Sequence, residues 1–216
     1  MNMSRRALIG ITAVIGAITA VSANGLFGGP GGRKLSAQEK SSCGLTIEAV
    51  EGSYWVSGMP ELKDGNLNAS GLPGPAIEVS GHVFDGAVGN TPLANAEVEI
   101  WHADSAGAYH PNDNGPASNH RPEDLALRGF VRTAADGAYR FTSTMPGEYT
   151  GRARHFHFKI RAAGKTELTT QLIIPVKPGD VLTFETDDIA EGLPNCQLLK
   201  IDETSTPARA QFDFRL

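Results

Sequence analysis

His155-Phe156-His157-Phe158-Lys159-Ile160 is the run on which the fold turns. Polar and bulky apolar side chains alternate at every step, which is the period of an extended strand. Both imidazoles then share one face, and Phe156 and Phe158 share the other. The same alternation recurs on both sides of this run. Upstream, Ile77, Val79, Gly81 and Val83 alternate with Glu78, Ser80 and His82, and Glu97-Val98-Glu99-Ile100-Trp101-His102 repeats the pattern. Asp136-Gly137 is a turn dipeptide that leads into Ala138-Tyr139-Arg140-Phe141-Thr142. Downstream, residues 168–175 and 210–214 read as further strands. Residues 51–75 are mostly turn chemistry, and residues 110–123 form a long polar loop with no helical period. Only residues 122–127 suit a turn of helix. Short strands between turns, in a chain with 25 Gly and 13 Pro, indicate an all-β domain, either sandwich or barrel. The expectation is a β-sandwich of mainly antiparallel strands with long loops.

The chain has 216 residues, enough for one well-buried domain and short for two. Its net charge of -5 and the lack of a Lys/Arg-rich stripe exclude a nucleic-acid backbone as the natural partner. Residues 1–23 have the three-part layout of an export signal. Arg5-Arg6 precedes an apolar run, which closes on the small residues Val21-Ser22-Ala23. Ser4-Arg5-Arg6-Ala7-Leu8-Ile9 resembles a twin-arginine signal. The expected location is therefore periplasmic or extracellular, with a membrane tether only if the signal stays uncleaved. Residues 24–42, rich in Gly, Ser and Lys, read as a flexible linker. Residues 43–216 are the expected folded domain. Cys43 and Cys196 allow one intramolecular pairing, and an oxidising compartment would permit that disulfide.

His155 and His157 on one strand face could together bind a metal ion, or could equally form an ordinary polar face. The chain has four tyrosines, Tyr54, Tyr109, Tyr139 and Tyr149. Tyr149 ends Met145-Pro146-Gly147-Glu148-Tyr149, six residues before His155. A phenol titrates near pH 10 and needs a strong Lewis acid to ionise at neutral pH. Phenolate oxygen combined with imidazole suits iron, and the ferric state above all.

Four runs, in order, resemble the intradiol ring-cleavage dioxygenases, the family of protocatechuate 3,4-dioxygenase and catechol 1,2-dioxygenase. The first is Pro92-Leu93-Ala94-Asn95-Ala96-Glu97-Val98-Glu99-Ile100-Trp101-His102-Ala103-Asp104 leading to Gly107-Ala108-Tyr109. The second runs from Arg128-Gly129 to Asp136-Gly137-Ala138-Tyr139-Arg140-Phe141-Thr142. The third runs from Pro146-Gly147-Glu148-Tyr149 through Gly151-Arg152-Ala153-Arg154 to His155-Phe156-His157-Phe158. The fourth is Leu168-Thr169-Thr170-Gln171-Leu172. The resemblance covers roughly residue 51 to the C-terminus.

The resemblance implies a non-heme Fe(III) held by Tyr109, Tyr149, His155 and His157. It implies a catechol-type diol and O2 as substrates, with Tyr149 the tyrosine displaced when the diol binds. Arg152 would stabilise negative charge on the ring, and Gln171 would support the same pocket. Homodimers are the family habit. The helical N-terminal region that the catechol-cleaving branch uses for dimerisation has no counterpart here, so the resemblance is to an exported single-chain branch. Glu51-Gly52-Ser53-Tyr54-Trp55 resembles an early family segment, E-G-P-Y-Y, with Ser53 and Trp55 as departures. Arg128, Arg132 and Arg154 are candidates to meet a substrate carboxylate. His82, His102 and His120 read as structural or surface residues, and His110 as a residue near the pocket mouth. The competing reading is an exported non-catalytic β-sandwich binding iron, zinc or a catecholate. Zinc sites rarely use phenolate, so the two tyrosines discriminate between them.

Overall fold

The computed structural model describes residues 44–216. The expected signal, the linker and Cys43 lie outside the described residues. The chain is all-β. Its strands are β1 (Val56–Ser57), β2 (Ala76–Phe84), β3 (Glu97–Trp101), β4 (Gly115–Pro116), β5 (Arg128–Arg132), β6 (Ala138–Thr144), β7 (His155–Arg161), β8 (Leu168–Ile173), β9 (Lys200–Asp202), β10 (Ala208–Gln211) and β11 (Phe214–Arg215). Among the described residues one four-residue helix, α1 (Asp188–Glu191), follows β8. No helix among the described residues is long and apolar enough to cross a membrane.

Two larger sheets carry the fold. One has the order β5-β3-β7-β8 and is antiparallel throughout. In the other, β6 pairs antiparallel with one edge of β2. β10 and then β11 run along the opposite edge of β2, both parallel to it, and β9 lies outside β10. The short pair β1 and β4 is also parallel. Antiparallel pairing dominates as expected, with these parallel exceptions.

Both sheets feed one core. Val98 and Ile100 of β3 and Phe156, Phe158 and Ile160 of β7 pack with Ile77 and Val79 of β2, Phe141 of β6 and Phe214 of β11. Such a shared core is what a sandwich of two sheets requires. Each fully buried side chain of this size contributes roughly 1.5–3 kcal/mol.

Three sequence expectations needed correction. The closing strand expected over residues 210–214 is broken into β10 and β11. Gly81 of β2 meets the chain at that break, and a Cβ there would overlap the Phe212 carbonyl oxygen. Phe212 N instead bonds to the Ser80 carbonyl, at 3.0 Å. The strand expected to reach residue 175 ends at Ile173. The polar loop of residues 110–123 is partly ordered into β4 and two 3-10 turns, Ala117–Asn119 and Pro122–Asp124.

The face of β7 opposite the core carries the paired histidines. His155, His157 and Lys159 lie there, and all three are buried. The segment ahead of β2 covers them. Lys159 Nζ sits 3.7 Å from the centre of a Trp55 ring and pairs with Glu51. The Trp55 indole donates to Glu99, and the Gln171 amide donates to the Val50 carbonyl.

Candidate active site

β7 holds His155 and His157 two residues apart, so both rings project from one face. His155 Nδ1 lies 2.6 Å from the Ala153 carbonyl. A carbonyl only accepts, so Nδ1 carries the proton and Nε2 is left with a lone pair. That Nε2 lies 2.9 Å from His157 Nε2, which is 3.1 Å from the Tyr109 hydroxyl. His157 is stacked on Trp101 at 4.8 Å, and its Nδ1 is buried without a partner.

Tyr109 and Tyr149 arrive on two loops locked to each other. Asp104 organises the first loop. Its carboxylate accepts from Ala106 N and Ala108 N, and its other oxygen pairs with His110 at 2.8 Å. Its backbone carbonyl accepts from Gly147 N of the second loop at 2.8 Å. The Tyr149 ring stands nearly perpendicular to Tyr109, at 5.1 Å, and lies 6.0 Å from His155. Tyr109 is 5% exposed, whereas Tyr149 is only partly buried. Tyr54, at a positive φ of 70°, stacks on Tyr109 and meets Tyr149 edge-on.

Burial pushes the Tyr109 phenol far above its ordinary value, and neighbouring Tyr149 adds to the rise. Burial also raises Tyr149, while Arg152 opposes that rise. Burial, then Arg152, brings His155 down to about 4. Burial, then His155, lowers His157 well below the usual imidazole range. The protein alone therefore keeps neutral imidazoles and neutral phenols here. Two imidazole nitrogens and a phenol oxygen converge with few protons to share, away from water. A cation would satisfy these lone pairs and allow the phenols to ionise. Among the described residues no three His, Cys, Asp or Glu side chains gather to hold a metal. A four-donor set at this place thus draws on the phenols.

Arg152 and Gln171 lie beside these four residues. Arg152 Nη2 donates to Gln171 Oε1 at 2.6 Å, and Arg152 N donates to the Tyr149 carbonyl at 2.8 Å. Gln171 pairs across the sheet with His157.

A family model described as dioxygenase matches residues 50–216. The chain is 33% identical over 186 residues to catechol 1,2-dioxygenase 2 of Acinetobacter lwoffii, covering 75% of this chain and 64% of the relative. The chain belongs to the intradiol ring-cleavage dioxygenase family. Among solved structures, this intradiol dioxygenase relative is similar to the dioxygenase domain of a dioxygenase carbohydrate-binding protein fusion from Streptomyces sp. SirexAA-E. That match has a TM-score of 0.64 and 32% identity, and covers 80% of this chain and 97% of the other. It is also similar to catechol 1,2-dioxygenase from Pseudomonas arvilla C-1, with TM-score 0.61 and 29% identity, covering 80% of this chain and 62% of the other. The chain spans less than two thirds of the length of the catechol 1,2-dioxygenases it matches, 64% and 54% for two from A. lwoffii.

The other candidate residues of this family member are engaged elsewhere. Arg128 is buried and donates to the carbonyls of His110, Tyr54 and Pro111. It thereby ties the Tyr54 segment to the loop after Tyr109. Arg154 pairs with Asp180, and Arg132 with Glu97 and Glu61. His110 pairs with Asp104 behind Tyr109, and His82 with Asp213 at the surface. Asp187, which grips Arg152 at 2.8 Å, escaped the sequence reading. It stands in an aperiodic stretch 16 residues after Gln171, and its only local signal is a helix-capping position.

His102 is fully buried, with Nδ1 2.7 Å from the Ala103 carbonyl and Nε2 2.8 Å from the Ser143 hydroxyl. Burial lowers it to about 4, and the bond to Ala103 only partly offsets this. Between about pH 4 and 6.5 the unfolded chain therefore holds a proton here that the folded chain does not. Stability is expected to be intact above about pH 6.5 and to fall as pH drops through that window. The contribution of His102 is about 3 kcal/mol. Urea unfolding of iron-free wild type and His102→Gln at several pH values checks this. A stability difference between them that does not change with pH would show that His102 is not the source.

Proposed function

We propose that this chain is a non-heme ferric intradiol dioxygenase acting on a catechol that lacks a ring carboxylate. The convergence of His155 Nε2, His157 Nε2 and the Tyr109 phenol, with Tyr149 edge-on beside them, carries this reading. These four residues would hold the iron. When bound, ferric iron supplies the Lewis acidity that ionises phenols at neutral pH and the redox centre at which diol and O2 meet.

The residues divide the remaining work. Tyr109 is enclosed and stays in place. Tyr149 is the less buried phenol and would leave when the diol enters, taking a substrate hydroxyl proton on its own oxygen. Arg152, whose charge already acts on the Tyr149 phenol, would then face the negative charge left on the diol. Gln171 holds Arg152 from the neighbouring strand. Trp101 and Tyr54 shield the metal face from water. The overall reaction adds both atoms of O2 and opens the ring between the hydroxyl-bearing carbons, giving a muconate-type diacid.

The substrate class follows from the arginines. Arg128, Arg132 and Arg154 are each committed to other partners. A ring carboxylate entering this site would lose water without gaining one of these cations. The iron-loaded domain is expected to show a red-brown tyrosinate-to-iron band that shifts when catechol is added without oxygen. In air it should cleave catechol with a kcat/KM at least about 100-fold above that for protocatechuate. A colourless protein after ferric loading would sink the metal assignment. Equal turnover of the two diols would sink the substrate assignment.

A further inference from the structure

The Asp187 carboxylate is closed off from solvent behind the site, and five hydrogen bonds converge on it. Arg152 Nε donates to Oδ1 at 3.0 Å and to Oδ2 at 2.8 Å. Ala153 N donates to Oδ2 at 2.8 Å. Ile189 N and Ala190 N of α1 donate to Oδ1 at 3.0 and 3.1 Å. One side chain thus joins the arginine, the backbone two residues before His155 and the start of α1.

A guanidinium on four rotatable bonds does not by itself keep a plane. Arg152 is held on both edges. Asp187 takes Nε, and Gln171 takes Nη2 with an oxygen that cannot swing away, because the Gln171 amide is tied to the Val50 carbonyl. Arg152 is tied to Tyr149 through the backbone, its N donating to the Tyr149 carbonyl at 2.8 Å, and its charge opposes the rise of the Tyr149 phenol. The same segment grips the Tyr149 loop twice more. Glu148 accepts from Val181 N and Leu182 N at 2.9 and 2.6 Å, and Arg154 pairs with Asp180 at 2.7 Å.

We propose that Asp187 is a positioning residue for ring cleavage: it fixes the plane of Arg152 so that the remaining donors face Tyr149 and the incoming diol. This rests on the dioxygenase reading above. An asparagine at this position keeps one acceptor for the helix cap. It loses the charge and the two-oxygen grip on Nε.

The test uses the iron-loaded chain as wild type, Asp187→Asn, Arg152→Met and the double variant. Each is measured for kcat and KM with catechol and for anaerobic catechol affinity by spectral titration. Asp187→Asn is expected to keep its iron and the resting visible band. The catechol-bound band should move, and kcat should fall roughly 10- to 100-fold with little change in KM, the usual cost of disturbing a supporting group. In the Arg152→Met background the same change should alter kcat and affinity by less than about twofold, because the residue it acts through is gone. Asp187→Ser, which keeps a cap acceptor, is measured the same way if the asparagine variant does not fold. Full kcat per iron in these variants overturns the assignment, and so does an equal fold-loss in both backgrounds. Active wild type with either result overturns this assignment alone. Wild type that neither colours nor cleaves catechol overturns the dioxygenase reading and this assignment with it.

Discussion

Tyr109→Phe in the iron-loaded protein is expected to remove a large part of the visible band and to lower catechol cleavage by more than about 100-fold. Disturbing groups that merely support a metal ligand already costs about 10- to 100-fold, and this change would delete a ligand atom. The substitution is otherwise mild. The ring can stay stacked on Tyr54 at 4.6 Å and packed with Trp101 and Ala103. Only the hydroxyl near His157 is lost, so iron-free stability should change by no more than about 1 kcal/mol. Because burial drives the Tyr109 phenol upward, its ionisation requires the metal, and the colour reports on that contact. Unchanged colour and rate in Tyr109→Phe, with normal iron content, would place the phenolate ligand elsewhere.

Gly107→Ala should separate the two tyrosines without touching either. Gly107 has φ of 85°, a region costly for any residue with a Cβ. A Cβ there would also overlap the Glu148 carbonyl oxygen, next to Tyr149. The obstacle is backbone, so no side-chain rotation relieves it. Strain and overlap together should cost on the order of 3 kcal/mol in unfolding free energy. The loops must part to accommodate the methyl group, so iron affinity should fall as well. Urea unfolding and iron titration of the same preparation check both. A variant with wild-type stability and wild-type iron affinity would mean that the two loops are not locked at this contact.

Period-two alternation reveals β7, β3 and β2 because each has one face on the core, and the H-x-H face follows from that alone. Tyr109 and Tyr149 carry no periodic signal; phenolate chemistry makes the tyrosines candidates, and the family resemblance selects these two. Arg128 and Arg154 looked like substrate-binding candidates because a sequence does not show where a cation's partner lies. The partners are backbone carbonyls up to 74 residues away and Asp180, 26 residues away. Asp187 was invisible for the same reason, since its bond to Arg152 spans 35 residues. The break between β10 and β11 depends on Gly81 lying against Phe212, a contact that no local pattern announces.

β7 assigns alternate residues to unrelated duties. His155 and His157 face the proposed metal site, while Phe156, Phe158 and Ile160 belong to the core. Loss or gain of one residue within this strand would exchange the two sets, placing imidazoles in the apolar interior and phenyl rings at the proposed metal site. Point substitutions can therefore be sampled on either face with separate consequences, whereas length changes in β7 damage both at once. Lineages of this chain are expected to keep the six-residue interval from Tyr149 to His155 fixed.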